Sequence, residues 1–97
     1  MSGTTVLAEV AAERTRQDAQ WGGPAHDDTL PFNAFIQLIT DYAGWARAKA
    51  REGSTLEARQ RLIQVAAIAV AAAESMTRRQ GSPAASVPPD SPSIDWE

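Results

Sequence analysis

Apolar and polar positions in this chain recur at three- and four-residue steps, and no stretch shows the two-residue alternation of a half-buried strand. Val6, Leu7, Val10 and Ala11 make a narrow apolar stripe, while Glu9, Glu13, Arg16, Gln17 and Gln20 recur on another side. This spacing predicts a helix over residues 5–20, with Thr4 or Thr5 as its cap, since a hydroxyl there accepts from the open amides of the first turn. Gly22-Gly23-Pro24 ends it, because Gly takes positive φ cheaply and Pro cannot continue the ladder. A second helix is predicted over 31–51, with Pro31 in its first turn and Asp28 or Thr29 as cap. Its apolar positions, among them Phe32, Phe35, Ile36, Leu38, Ile39, Tyr42 and Trp45, are wider than one stripe and predict burial on two sides. Gly44 inside it costs about 1 kcal/mol against Ala and implies a close neighbouring backbone.

Ser54-Thr55-Leu56-Glu57 has capping-box spacing and opens a third helix over 55–80. The expected core side of that helix is Leu62, Ile63, Val65, Ala66, Ala69, Val70, Ala73 and Met76. The turn before it is short, so the second and third helices should form an antiparallel pair. From Gly81 the composition turns to Pro, Ser and Ala, giving a linker-like tail over 81–97 that ends Ile94-Asp95-Trp96-Glu97. The terminal Trp is expected either to dock on a neighbouring subunit or to stay free. The fold class is therefore all-α: a short N-terminal helix plus a long antiparallel α-hairpin, in one domain over 1–80. About 80 folding residues bury a modest core, so the bundle is expected to be completed by homo-oligomerisation.

Composition narrows the chemistry. With 97 residues, no Cys and one His, the chain offers neither disulfides nor a thiolate or multi-His zinc centre. A net charge of −3 gives no concentrated basic face for duplex nucleic acid. The longest apolar run, Val65 to Ala73, is too short to span a bilayer, and Met1-Ser2-Gly3-Thr4-Thr5 does not read as a secretory leader. A cytoplasmic location without membrane attachment is the expectation.

The unusual side chains gather between Glu13 and Asp28. Glu13, Arg14, Arg16, Gln17, Gln20, Trp21, His26, Asp27 and Asp28, with Tyr42, are the candidate ligand-binding residues. Arg suits a phosphate, Gln or Asp the edges of a base or ribose, and Trp or Tyr a stacked ring. Each also has a bland account: a solvated Glu13–Arg16–Gln17 face, a helix-end Trp in the core, a hydrogen-bonded His26 turn, and Asp27 and Asp28 set against a helix dipole.

The series Glu13-Arg14-x-Arg16-Gln17, Trp21-Gly22, His26-Asp27-Asp28, then Leu62 to Ala69, Glu74 and Arg78-Arg79 resembles small tailed-phage proteins of the MazG-like kind. The resemblance covers residues from about 6 to 80. It implies an all-α oligomer of the nucleoside triphosphate pyrophosphohydrolase type, with Mg²⁺ held by carboxylate pairs on facing helices. On those helices this chain keeps only Asp41, with Gly44, Arg61 and Gln64 at the other positions, so no catalytic residue and no resident cofactor are expected. If a metal binds at all, Asp41 and Asp28 are the candidates. The leading expectation is a non-catalytic phage nucleotide-binding protein, acting as a sponge for a cyclic-nucleotide or ADP-ribose-type immune signal of the bacterial host. The alternatives are a divergent Mg-dependent pyrophosphohydrolase and a structural adaptor acting through its tail.

Overall fold

The computed structural model describes residues 3–80, and these form four helices: α1 (Gly3–Trp21), α2 (Gly23–Asp27), α3 (Phe32–Arg51) and α4 (Thr55–Gln80). The chain is all-helical over those residues. α1 is already helical at Gly3, so Thr4 and Thr5 lie inside it instead of capping it. The Trp96 docking expectation concerns the tail and lies outside the described residues.

The break after α1 holds a helix that the sequence pattern did not suggest. Gly22 and Gly23 both take positive φ, at 111° and 67°. That reverses the chain within two residues and lets Pro24 enter the first turn of α2, where its missing N–H costs nothing. A Cβ on Gly22 would also meet the His26 Cβ at 3.0 Å, so the glycine is needed for space as well as for conformation. α2 closes through Asp28 N–H to the Pro24 carbonyl (2.9 Å) and Thr29 N–H to the His26 carbonyl (3.0 Å). Pro31 stands at the N-cap of α3 with φ −59° and ψ 144°, not inside its first turn. Neither predicted cap serves: Thr29 donates its hydroxyl to the His26 carbonyl (2.6 Å), and the Asp28 carboxylate is engaged elsewhere.

α3 ends in a Schellman motif. Ser54 N–H reaches the Lys49 carbonyl (2.9 Å), Gly53 N–H the Ala50 carbonyl (3.1 Å), and Gly53 supplies the left-handed residue at φ 82°. The chain then turns straight into α4, and α3 and α4 pack along their lengths. Glu57, the capping-box acid, lies 3.6 Å from Lys49 Nζ across this turn. α1 also lies on α4, and α2 bridges α1 and α4. No Cα of α1 comes within 8 Å of one in α3. α4 is thus the central helix, and a gap runs along it between α1 and α3.

The core sits under that gap. Phe35, Ile68 and Ala72 are its buried centre, with Trp21, Leu30, Leu38, Ile39 and Tyr42 packed around them. On α4 the buried positions are Ala58, Ala67, Ile68, Ala71, Ala72 and Ser75. This is not the side expected from the sequence: Leu62, Ala69, Val70 and Ala73 are exposed. The alanine-rich helix is apolar nearly all round, so its periodicity does not say which face turns inward; the two helices it must contact decide it. α3 likewise buries one side only, leaving Phe32, Ile36 and Trp45 exposed. Gly44 has no backbone neighbour, since a Cβ there would meet nothing within 4 Å. Among the described residues no helix is long and apolar enough to cross a membrane.

Candidate functional site

The gap between α1 and α3 is a groove of about 440 Å³. Its floor is α4, through Ile68 and Ala71; its walls are Gln17, Asp18 and Trp21 on α1 and Ala34, Phe35, Gln37 and Leu38 on α3. His26, Asp27 and Leu30 close one end. A volume of this order suits a small ligand, and the lining is mostly apolar with a few polar groups, as ligand sites commonly are. Trp21 packs on the core and also lines the groove.

Of the predicted residues, Gln17, Trp21, His26 and Asp27 meet in this groove, and the others do not. Arg14 does not line the groove and pairs with Glu74 Oε1 at 2.8 Å. Arg16 donates to Glu13 from Nε (2.9 Å) and Nη2 (2.5 Å), and from Nη1 to Gln20 Oε1 (2.9 Å). These bonds hold the Glu13 carboxyl below its ordinary range. Glu13 and Arg16 face a second, wider cleft with Glu9, Arg59 and Gln60, where the charges are spent on one another; Arg59 grips Glu9 at 2.8 and 2.6 Å. Asp28 is likewise committed. Its carboxylate accepts from Ser75 Oγ (2.8 Å) and from Arg78 Nε and Nη2 (3.1 and 2.8 Å), and these bonds, Arg78 first, draw its pKa down to about 2. With Arg79 bonded to the Asp27 carbonyl and stacked 4.7 Å over the Phe32 ring, this clamp pins α2 to the end of α4.

Most of the groove's unspent polar groups are acceptors. Gln17 gives its amide N–H to Glu13 Oε2 (2.9 Å) and to the Gln64 carbonyl (3.5 Å). Gln37 gives its own to Asp41 Oδ1 (3.0 Å), so each glutamine is left with an acceptor oxygen. The Asp18 and Asp27 carboxylates have no hydrogen-bond or ion-pair partner among the described residues. Asp27 is only 7% exposed. Burial, and then the neighbouring Asp18 charge, push its pKa up. Two unneutralised carboxylates against an apolar wall destabilise the folded chain, and such groups cluster at functional sites.

Beyond the groove's lining, toward the start of α4, the polarity reverses. Arg61, Gln64, Ile68 and Ala71 follow one another at steps of three and four along α4, so the floor stripe runs into Arg61. The Arg61 guanidinium lies 5.8 Å from the Tyr42 ring and 5.3 Å from the Trp45 ring, and donates to Gln64 Oε1 at 3.1 Å. Tyr42 and Trp45 pack on each other with their rings tilted by 56°, 4.8 Å between centroids. Tyr42 therefore acts as a platform under a cation, and Arg61 has no carboxylate partner among the described residues.

Asp18, Phe35, Gln37, Leu38, Ile68 and Arg61 are functional candidates that the sequence reading did not select. Asp18 had a usable signal, three residues before Trp21 on the same helix side. Phe35, Leu38 and Ile68 were hidden among the apolar residues of α3 and α4, and Gln37 and Arg61 among the polar positions of those helices, and only packing shows which of them lie in or beside a gap. Among the described residues no three His, Asp or Glu side chains converge as a metal site. Asp41 and Asp28 each serve an internal partner instead, Gln37 and the Ser75–Arg78 pair. No family model, curated protein or solved structure matches this chain.

Proposed function

We propose that this protein binds a nucleotide-like small molecule in the α1–α3 groove and releases it unchanged. The observation that carries this reading is the layout of that one groove, an acidic end at Asp18 and Asp27 and an apolar stretch walled by Trp21, Phe35 and Leu38, with the Arg61 cation beyond its lining on the same floor helix. A base would lie against Trp21 with its N–H groups toward the carboxylates, and a phosphate would lie toward Arg61. Asp28 and Asp41, the carboxylates considered for Mg²⁺, are committed to internal partners, which supports binding over metal-dependent hydrolysis. A phage protein of this kind would serve as a sponge for a nucleotide immune signal in the cytoplasm of the infected host.

The test is a thermal-shift screen of the whole chain against nucleoside mono- and triphosphates, cyclic di- and trinucleotides and ADP-ribose, with and without Mg²⁺. At a hundredfold excess over Kd a ligand specific to the native state adds about 2.7 kcal/mol, which is roughly 10 °C or more for so small a domain. The expected outcome is such a shift, with the ligand recovered intact by chromatography. Recovery as a monophosphate would establish turnover and sink the sponge reading.

The bare face of the α3–α4 pair supports a second part of the proposal, a homo-oligomer that completes the bundle. Phe32, Ile36 and Ala43 on α3 and Leu62, Ala69, Val70 and Ala73 on α4 are all exposed and carry no charge. Helical spacing places them on one flank, away from α1, and the alanines let another helix approach closely. Sedimentation equilibrium of the whole chain is the direct check.

A further inference from the structure

Nothing in the established geometry satisfies the Asp27 carboxylate, and its place in the groove says what would. It is more than nine-tenths buried, lines the cavity, and has no hydrogen-bond or ion-pair partner among the described residues. The charged groups around it are Asp18 from α1, His26 from its own helix, and Arg78 and Arg14 at longer range. Arg78 is held by Asp28 and Arg14 by Glu74, so neither turns into the groove. Gln17 has also spent both of its amide N–H groups, and Gln37 one of its two. What the groove offers a ligand at this end is therefore mostly acceptors, two carboxylates and two amide oxygens, with the His26 ring and the Trp21 indole N–H beside them.

We propose that Asp27, with Asp18 beside it, recognises a planar pair of adjacent N–H donors, the amidine-type fork of a guanine base. A carboxylate takes two parallel N–H bonds from such a fork, and a low-dielectric wall strengthens both. The ring N–H and the amino group on the neighbouring ring carbon of guanine provide that pair. Adenine sets a ring acceptor beside its amino group and would bring a lone pair against the carboxylate. Hypoxanthine keeps the ring N–H and lacks the amino group. Trp21 and Phe35 line the same cavity and provide flat walls for the ring. A guanidinium or amidinium cation carries the same fork, and its added charge would also offset the two carboxylates.

The inference deepens the nucleotide reading and rests on it, and one titration separates the two. Isothermal titration of the whole chain with guanosine, inosine, adenosine and benzamidine compares the forks directly. The expected order is guanosine, then inosine, then adenosine, with guanosine about ten- to a hundredfold tighter than adenosine. Asp27→Asn should lose most of that preference, since its amide has one acceptor and a donor that repels the fork. Asp18→Asn should lose less of it. Both variants should melt at or above the wild-type temperature, because each removes one of two facing charges, so lost binding will not mean lost folding. Equal binding of guanosine and adenosine would overturn the fork and leave the nucleotide reading standing. Binding of benzamidine with no nucleoside bound would keep the fork and overturn the nucleotide reading. No binding by any of the four would overturn both.

Discussion

Phe35→Ala is expected to lower the melting midpoint by about 15 °C or more and to leave little folded protein at 37 °C. Phe35 is 2% exposed and stands at the centre of the small cluster with Ile68 and Ala72. Emptying such a position costs about 3–5 kcal/mol, the lost transfer term plus the cavity. A chain of this size has about 5–15 kcal/mol in all, so the loss takes a large share. The alanine-rich α4 cannot close the space, because Ala67, Ala71 and Ala72 have no side-chain reach to collapse into it. Leu56→Ala is the control: Leu56 is 79% exposed, and its truncation should change stability by about 0.5 kcal/mol or less. Chemical denaturation of the two variants checks the pair of values. A Phe35→Ala protein that melts with the wild type would mean the groove and its core are not arranged as described.

The second large effect concerns assembly. Wild-type protein is expected to sediment as an oligomer, and the double substitution Ile36→Glu with Val70→Glu to sediment as a monomer at the same concentration. α4 is 26 residues long, about 39 Å at its rise per residue, and two helices side by side span about 20 Å. The bare face therefore presents area on the order of the 800 Å² per partner of a standard interface. Ile36 and Val70, 50% and 40% exposed, lie on the two helices that form it. Placing a carboxylate on each copy's side of a dry contact puts unpaired charges in apolar surroundings, which costs several kcal/mol per site. Both positions are open to solvent in the single chain, so the variant should keep its helical circular dichroism. A wild type that stays monomeric at tens of micromolar, or a variant that stays oligomeric, would contradict the assembly proposal.

How much of this was legible in the sequence follows from where local rules decide and where packing does. α4 and the end of α3 were readable because Gly53 and Ser54 impose their turn through backbone conformation alone. α2 was not, because five residues between two glycines and a threonine carry no periodicity; it stands because Ser75 and Arg78, some fifty residues away, hold Asp28. The core side of α4 was misread for a related reason. Leu62 and Val70 are as apolar as Ile68, yet Ile68 between small alanines is what meets Phe35. In the site, the cluster Gln17, Trp21, His26 and Asp27 was visible as odd residue types on one stretch. Arg14 and Arg16 were equally odd but satisfy carboxylates within reach on the helix surfaces, a fate that composition does not reveal. Asp18, which walls the groove, and Arg61, beyond its lining on α4, needed the third dimension.

The central claim is that ligand lies in the groove between α1 and α3. The chain has three Trp residues, and their positions make a direct test: Trp21 walls the groove, Trp45 carries Arg61 beyond its lining, and Trp96 belongs to the tail. Nuclear magnetic resonance of the three indole N–H groups, assigned by single Trp→Phe variants, would be followed while guanosine monophosphate is added. The account predicts the largest shift at Trp21, a smaller one at Trp45 as the phosphate nears Arg61, and none at Trp96. A saturable shift confined to Trp96, or binding that leaves the Trp21 signal where it was, would place the site elsewhere and contradict the account.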